Sequence, residues 1–401
     1  MRFSTLTGAA LAAGASAAQV NYLGFNSGNT LPDHSAKFQA DFEAEFKTAQ
    51  GLVGAPGTFN AVRLYTNIQA YSQQDPIQAF DAAIATKTYM LLGIWASGSD
   101  NINNELNALT AAVQKHGKAF TDLVIGMSIG SEDLYRDSAT GRQNKAGLGN
   151  GPQQIVNFIN AYRKAVANTP LSTVPVGHVD TWDAWVNDTN KVVLDAVDWL
   201  GVDEYPFYES GKGNDIKNAG NLFDQAYDTT LGVANGKPVW VTETGWPFSG
   251  PSWDEAVPSV SNAQKYWQEV GCRRLFNKAP TFWYNLRDSN PDNEVKFGIS
   301  PQLSTKPQFD LKCPTHFDTG KKTTTHRSSS TSSANATSTS STTLASVSAS
   351  GTGTGPGAAH STGTGVGAAP AQITSNGASA VGFTGAAYAC AAVAAGYLAL
   401  L

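Results

Sequence analysis

Eight short runs of apolar and aromatic residues recur between residues 21 and 287, separated by longer stretches of mixed polarity. They fall at 21–26, 61–66, 89–95, 123–132, 174–182, 199–205, 238–244 and 281–287. Most are nearly continuous rather than alternating, the habit of strands covered on both faces. Between them apolar positions return at helical spacing. Phe38, Phe42 and Phe46 form one stripe, and Asp75-Pro76 is expected to cap a helix carrying Ile77, Phe80 and Ile84. Leu106, Leu109 and Val113 mark a third helix ending at Gly117, and Ile155, Phe158, Ile159, Tyr162 and Val166 a fourth. Segments near 218–234 and 261–277 supply two more. Strand and helix alternating about eight times predict an α/β fold of the (β/α)8 TIM-barrel type. A doubly wound open sheet would be expected to show a Gly-rich phosphate loop after its first strand, and none is present.

Composition narrows the folded part. Aromatic residues, nine of them Trp among the 401 residues, sit almost entirely before residue 318. The barrel is therefore assigned to 19–313 and a Ser/Thr-rich stalk to 314–376, too poor in apolar side chains to offset the entropy of ordering. Residues 1–18 have a basic start, an apolar run and a small-residue end, the layout of a secretory signal peptide. Residues 377–401 finish in an uncharged apolar stretch preceded by small residues, the layout of a glycosylphosphatidylinositol (GPI) anchor signal. Asn376 is the expected attachment site, with Ser375 and Gly377 as alternatives. A secreted protein on the outer face of the membrane or in the wall follows from these signals. Asn187 and Asn335 head N-glycosylation sequons.

The net charge of −5, from 27 basic and 32 acidic side chains, leaves no basic footprint for nucleic acid or an anionic membrane surface. Membrane association is expected through the anchor alone, and the chain as a monomer. Three cysteines are present. Cys390 lies in the tail that anchoring would remove, so a Cys272–Cys313 disulfide is the economical pairing.

In a barrel of this kind the chemistry sits at the C-terminal ends of the strands. Two of the runs end in a carboxylate: Gly130-Ser131-Glu132 closes the fourth, and Thr242-Glu243-Thr244-Gly245-Trp246-Pro247 closes the seventh. Either glutamate alone reads equally well as a salt-bridged structural group. Two of them across one barrel mouth match the pair that glycosidic cleavage requires, one carboxyl protonated and one ionised. Rival chemistries find no support. The histidines show no metal-ligand spacing, His178 reads as a satisfied barrel residue, and no Gly-x-Ser-x-Gly elbow is present. The GLGNG piece at 147–151 lacks the Lys of a phosphate loop. No cofactor or metal is expected.

VWVTETGWP at 239–247 and VIGMSIGSEDLYR at 124–136 resemble the two catalytic motifs of glycoside hydrolase family 17, the β-1,3-glucanases, and within it the GPI-anchored fungal members. The resemblance extends to VRLYT, VDEYPF and FWYNLRDS, spanning roughly 20–313. It implies β-1,3-glucan as substrate, Glu243 as nucleophile and Glu132 as acid/base of a retaining mechanism. That outcome needs the two carboxyls about 5–5.5 Å apart. Ser131 stands where the wider clan carries Asn, which puts the usual contact to the sugar 2-hydroxyl in doubt. Tyr205 is expected to hydrogen-bond the nucleophile, with Arg63 and Tyr65 orienting it. Trp246 and Trp283, with Trp95 and Tyr208, are expected to stack on sugar rings; Glu294 and Lys296 are polar cleft candidates. Endo-hydrolysis is the first reading. Transglycosylation that remodels wall polymer is the second, and a non-catalytic glucan-binding barrel the third.

Overall fold

A computed structural model describes residues 21–317 apart from Pro291. The segments expected to be a signal peptide and an anchor signal, with Asn376, most of the expected stalk, and Asn335 lie outside the described residues. Eight parallel strands close into one barrel in chain order: β1 (Leu23–Ser27), β2 (Ala61–Leu64), β3 (Tyr89–Ile94), β4 (Val124–Ser131), β5 (Val176–Thr181), β6 (Trp199–Asp203), β7 (Val239–Glu243) and β8 (Thr281–Trp283). Each falls within or at the edge of its apolar run. The last run is shorter than expected, its residues after Trp283 leaving the sheet.

The lower half of the barrel is packed solid. Ala61, Leu91, Val179, Trp199, Trp240 and Phe282 meet in one cluster, with the two indoles stacked at 4.5 Å. Gly177 makes room for them, because a Cβ there would lie 2.3 Å from the Trp199 ring. With the floor filled by side chains, only the upper ends of the strands are left to build a site.

Helices follow the first seven strands. The stripe at 155, 158, 159, 162 and 166 is the buried face of the helix Pro152–Val166. Two helix starts differ from expectation. Phe38 precedes the helix Gln39–Gln50 as its N-cap and is 53% exposed, its N–H taken by the Asp41 carboxylate. Asp75-Pro76 caps nothing: the helix begins at Ala79, because Pro76 bridges to Ile68 and the Ile77 N–H donates to the Asn67 carbonyl. A short helix, Lys191–Ala196, lies between β5 and β6 in a segment whose apolar positions show no clear period.

Among the described residues no long helix follows β8. The chain instead runs back along the barrel, tied to the helix Gln39–Gln50 by the Thr48 hydroxyl, which donates to the Leu303 carbonyl. On its other side it meets the π-helical turns Trp267–Leu275, where the Trp267 indole N–H donates to the Leu311 carbonyl at 3.0 Å. Phe309 and Leu311 are buried in that slot. Cys272 and Cys313 are bonded there, their Cα atoms 5.4 Å apart across 41 residues of chain. This segment thus does the covering work of an eighth helix, and the disulfide holds its end.

Closing a loop of that length constrains the unfolded chain, so replacing both Cys272 and Cys313 by Ser is expected to lower the unfolding free energy by roughly 2–4 kcal/mol. Denaturant midpoints of the two proteins check this; equal midpoints would contradict it.

Candidate active site

Period-two alternation sends neighbouring strand residues to opposite faces. Trp240 and Thr242 of β7 both point into the barrel, Thr242 donating to Asp203 Oδ1 at 2.6 Å. Glu243 would then face outward. It does not, because the strand is irregular there: Val202 pairs with Val241 but Asp203 with Glu243, leaving one extra residue on β7. β4 breaks register in the same way, Ser128 pairing with Gly177 and Ser131 with Val179. Bulges of this kind re-aim a side chain. Both glutamates follow one.

Glu243 is buried, and three donors fill its carboxylate. Arg63 Nη1 donates to Oε1 at 2.5 Å and the Tyr65 hydroxyl to the same oxygen at 2.6 Å. The Tyr205 hydroxyl donates to Oε2 at 2.8 Å. A protonated acid would have to surrender one of these bonds. Arg63 is itself nearly inaccessible; burial works against its charge, but the carboxylates of Asp203 and Glu243 outweigh that and hold it more firmly protonated than usual. Its second Nη donates to the Ser131 hydroxyl at 2.9 Å, and Nη1 also reaches Asn26 Oδ1 at 2.9 Å. Ser131 therefore joins the strand of Glu132 to the network around Glu243 through Arg63.

Glu132 sits just past β4 in a left-handed conformation, φ 55° and ψ 24°. Its environment is the opposite of Glu243's. One oxygen meets Arg136 Nη2 at 3.1 Å, and the other is buried with no hydrogen-bond partner among the described residues. Burial pushes the carboxyl up to about 8, Arg136 acting against this and the Glu243 charge with it. Asp203 is driven well above the carboxylate range by burial and by Glu243, Arg63 opposing. The mouth thus holds two buried carboxyls in unlike settings: Glu132, pushed up by burial and with one oxygen lacking a partner among the described residues, and Glu243, with three donors on its oxygens.

The expected aromatic platforms fare differently. Trp283 is buried among Trp267, Phe276 and Tyr266, with ring centroids 4.9, 5.6 and 5.8 Å away. Trp246 is buried too, its indole N–H donating to the Val257 carbonyl and its ring against Phe207 and Tyr266. Tyr208 packs edge-on against Phe207 and Trp253. These rings present no open face, which corrects the stacking role expected of them. Of the four only Trp95 is partly exposed, with the Arg136 guanidinium 5.3 Å from its ring centre. Lys296 is half-buried, its ammonium donating to the Asn290 carbonyl, and Glu294 is exposed on the same loop. Neither makes a described contact with the two catalytic candidates. Asn187 is exposed, its side chain accepting from the Thr189 N–H.

Sequence reasoning missed Asn26, Asp203, Arg136 and Tyr284. Arg136 had a signal, its spacing of four from Glu132. Tyr284, edge-on to Tyr205 at 5.8 Å, had none beyond following a strand.

With this geometry in hand, comparison with known proteins is decisive for kinship. Residues 21–301 match the family described as the BtgE/BtgC glycoside hydrolase domain. The chain belongs to that family. It is 50% identical over 307 residues to a "Probable glucan endo-1,3-beta-glucosidase" of Aspergillus niger, covering 76% of this chain and 66% of the relative. The Aspergillus oryzae protein of the same name is 51% identical over 294 residues, covering 73% of this chain and 63% of the relative. This member of the family thus spans a little under two thirds of those relatives' length. Among solved structures it resembles a glycoside hydrolase family 17 beta-1,3-glucanosyltransferase from Rhizomucor miehei, at 26% identity and a TM-score of 0.58. That match covers 73% of this chain and 98% of the Rhizomucor protein.

If the Glu243 charge helps hold the Glu132 proton, Glu243→Gln is expected to lower the Glu132 pKa from about 8. Carboxyl-carbon NMR titration, with Glu132→Gln identifying the resonance, checks this. A Glu132 resonance that titrates unchanged would contradict the coupling.

Proposed function

We propose that the protein is a retaining β-1,3-glucan hydrolase that cuts within the polymer through a covalent glycosyl-enzyme on Glu243. The observation that carries the reading is the unlike pair at a single barrel mouth: one buried carboxyl pushed up to about 8 and one whose oxygens take three donors, the division that a proton donor and a nucleophile need. Glu132 would donate its proton to the departing glycosidic oxygen while Glu243 attacks the anomeric carbon. Ester formation then removes the Glu243 charge, and with it one of the influences raising the Glu132 pKa. Glu132 is thereby readied as the base that draws a proton from the incoming water. Tyr205, Tyr65 and Arg63 keep the attacking oxygens oriented and ionised. The substrate class is supported by the names of the Aspergillus relatives and by the Rhizomucor protein having been solved with laminaritriose, at 25% identity to this chain.

Transfer to a sugar hydroxyl in place of water is the second reading, favoured by the glucanosyltransferase name of that same Rhizomucor protein. The first step is common to both. A non-catalytic binding barrel has no use for a split carboxylate pair. For location we propose secretion, a GPI anchor at Asn376 and a stalk holding a monomeric barrel at the outer face of the membrane or in the wall. These rest on the sequence signals alone.

Laminari-oligosaccharides digested by the secreted protein test the reading. Proton NMR is expected to show the β-anomer as first product, with products shorter than the substrate, and Glu243→Gln is expected to abolish turnover. A first-formed α-anomer would overturn retention, and products longer than the starting oligomer would move the assignment to transfer.

A further inference from the structure

The extra residue in β4 lies between Ser128 and Ser131, where Gly130 adopts φ +85°. A side chain at Gly130 would come within 2.5 Å of the Asp133 carboxylate and 3.1 Å of the His178 ring. His178 and Asp180 alternate with the inward-facing Val179 on β5, so both lie outside the barrel lumen, behind the bulge and away from any substrate. The ring is fully buried, with the edge of Trp185 packed against it at 5.7 Å.

Hydrogen-bond accounting sets its charge. Nδ1 lies 2.6 Å from the Ile129 carbonyl oxygen, which can only accept, so Nδ1 carries a hydrogen. Nε2 lies 2.9 Å from Asp180 Oδ2. Asp180 already accepts from the backbone N–H groups of Leu134 at 2.9 Å, Tyr135 at 3.1 Å and Thr181 at 2.9 Å. Both of its oxygens are thus already accepting from backbone donors, which leaves the ring nitrogen as the donor in the contact with Oδ2. Nε2 must therefore donate as well, and the ring is an imidazolium. The charged groups facing it are Asp180 on its own strand and Asp133 on the turn after β4, with Asp183 beyond Asp180; its β6 partner, Leu200, is apolar. Burial pulls the ring's pKa down, but the bond to Asp180 and the two carboxylate charges outweigh it and raise the value above the ordinary one.

The two donors that Asp180 takes from beyond its own strand, Leu134 and Tyr135, follow Glu132 by two and three residues. One side of this network thus fixes the bulge before Glu132 and the other the helical turn after it. We propose that His178 is a positioning residue for Glu132: as a buried imidazolium it clamps the Ile129 carbonyl and the Asp180 carboxylate, and so holds the left-handed Glu132 backbone at the mouth. The inference rests on Glu132 being the general acid of the proposed reaction.

His178→Asn keeps at most one of the two donors. Its effect is read on two substrates: a β-1,3-glucan polymer, whose leaving sugar must be protonated, and 2,4-dinitrophenyl β-laminaribioside, whose leaving group needs no proton. On the polymer kcat/KM is expected to fall roughly tenfold to a hundredfold. The first turnover of the aryl substrate is expected to change by less than about threefold, the pattern of a misplaced acid, with Glu132→Gln run as the control. Equal losses on both substrates, or no loss on the polymer, would overturn the proposal. Independently, nitrogen-15 spectra of histidine-labelled wild-type protein near pH 6 are expected to show His178 protonated on both nitrogens; a singly protonated ring would also overturn it. A wild-type protein inactive on both substrates sinks the proposed substrate class instead, and the histidine spectrum then still decides the charge state by itself.

Discussion

The site depends on one buried guanidinium. Arg63 rises from the inner face of β2 directly above the packed floor of the barrel, where a permanent charge is costly unless its donors are met. Asn26, Ser131 and Glu243 meet them, with Asp203 at 4.0 Å. One side chain on β2 thus ties together the ends of β1, β4, β6 and β7. Removing either partner of such a pair strands the other charge, at a cost of about 3–5 kcal/mol. Glu243 is therefore fixed in position by the same contact.

Around that anchor the two glutamates differ in how much compensation burial receives. Glu243 has a cation and two phenols; Glu132 has one cation and an oxygen with no partner among the described residues. The same barrel mouth therefore offers two carboxyls unlike surroundings, and burial pushes the Glu132 carboxyl up. The second network, behind the bulge, has its own balance: Asp180 and Asp133 against His178 and Arg136. Each glutamate is held by a polar cluster of its own, and Ser131 is where the two clusters touch.

The barrel was legible because strands buried on both faces leave a signature in composition alone. The helix Pro152–Val166 was legible because its apolar stripe is complete. The start of the helix at Ala79 was not, since Asp75-Pro76 caps well in isolation but is held in a bridge to Ile68 by the neighbouring loop. At the site, the glutamates stood out as charges ending apolar runs. The bulges that turn them inward have no sequence mark, because register is a property of two strands and not of one. The same blindness explains the aromatic errors. A tryptophan at a strand end reads alike whether it faces the mouth or, as with Trp283, the side packed against Trp267 and Phe276. Asn26 and Asp203, polar residues in the first and sixth apolar runs, became visible as site residues only once Arg63 was seen between them.

A Glu243 that attacks the sugar is left covalently bonded to it. Incubating the protein with 2-deoxy-2-fluoro-β-laminaribiosyl fluoride, digesting it and mapping the adduct by mass spectrometry tests this directly, since the fluorine slows hydrolysis of a glycosyl-enzyme. The adduct is expected on the peptide carrying Glu243 and on that residue within it. An adduct on any other side chain, or an active enzyme that forms none and inverts the anomeric centre, would contradict it.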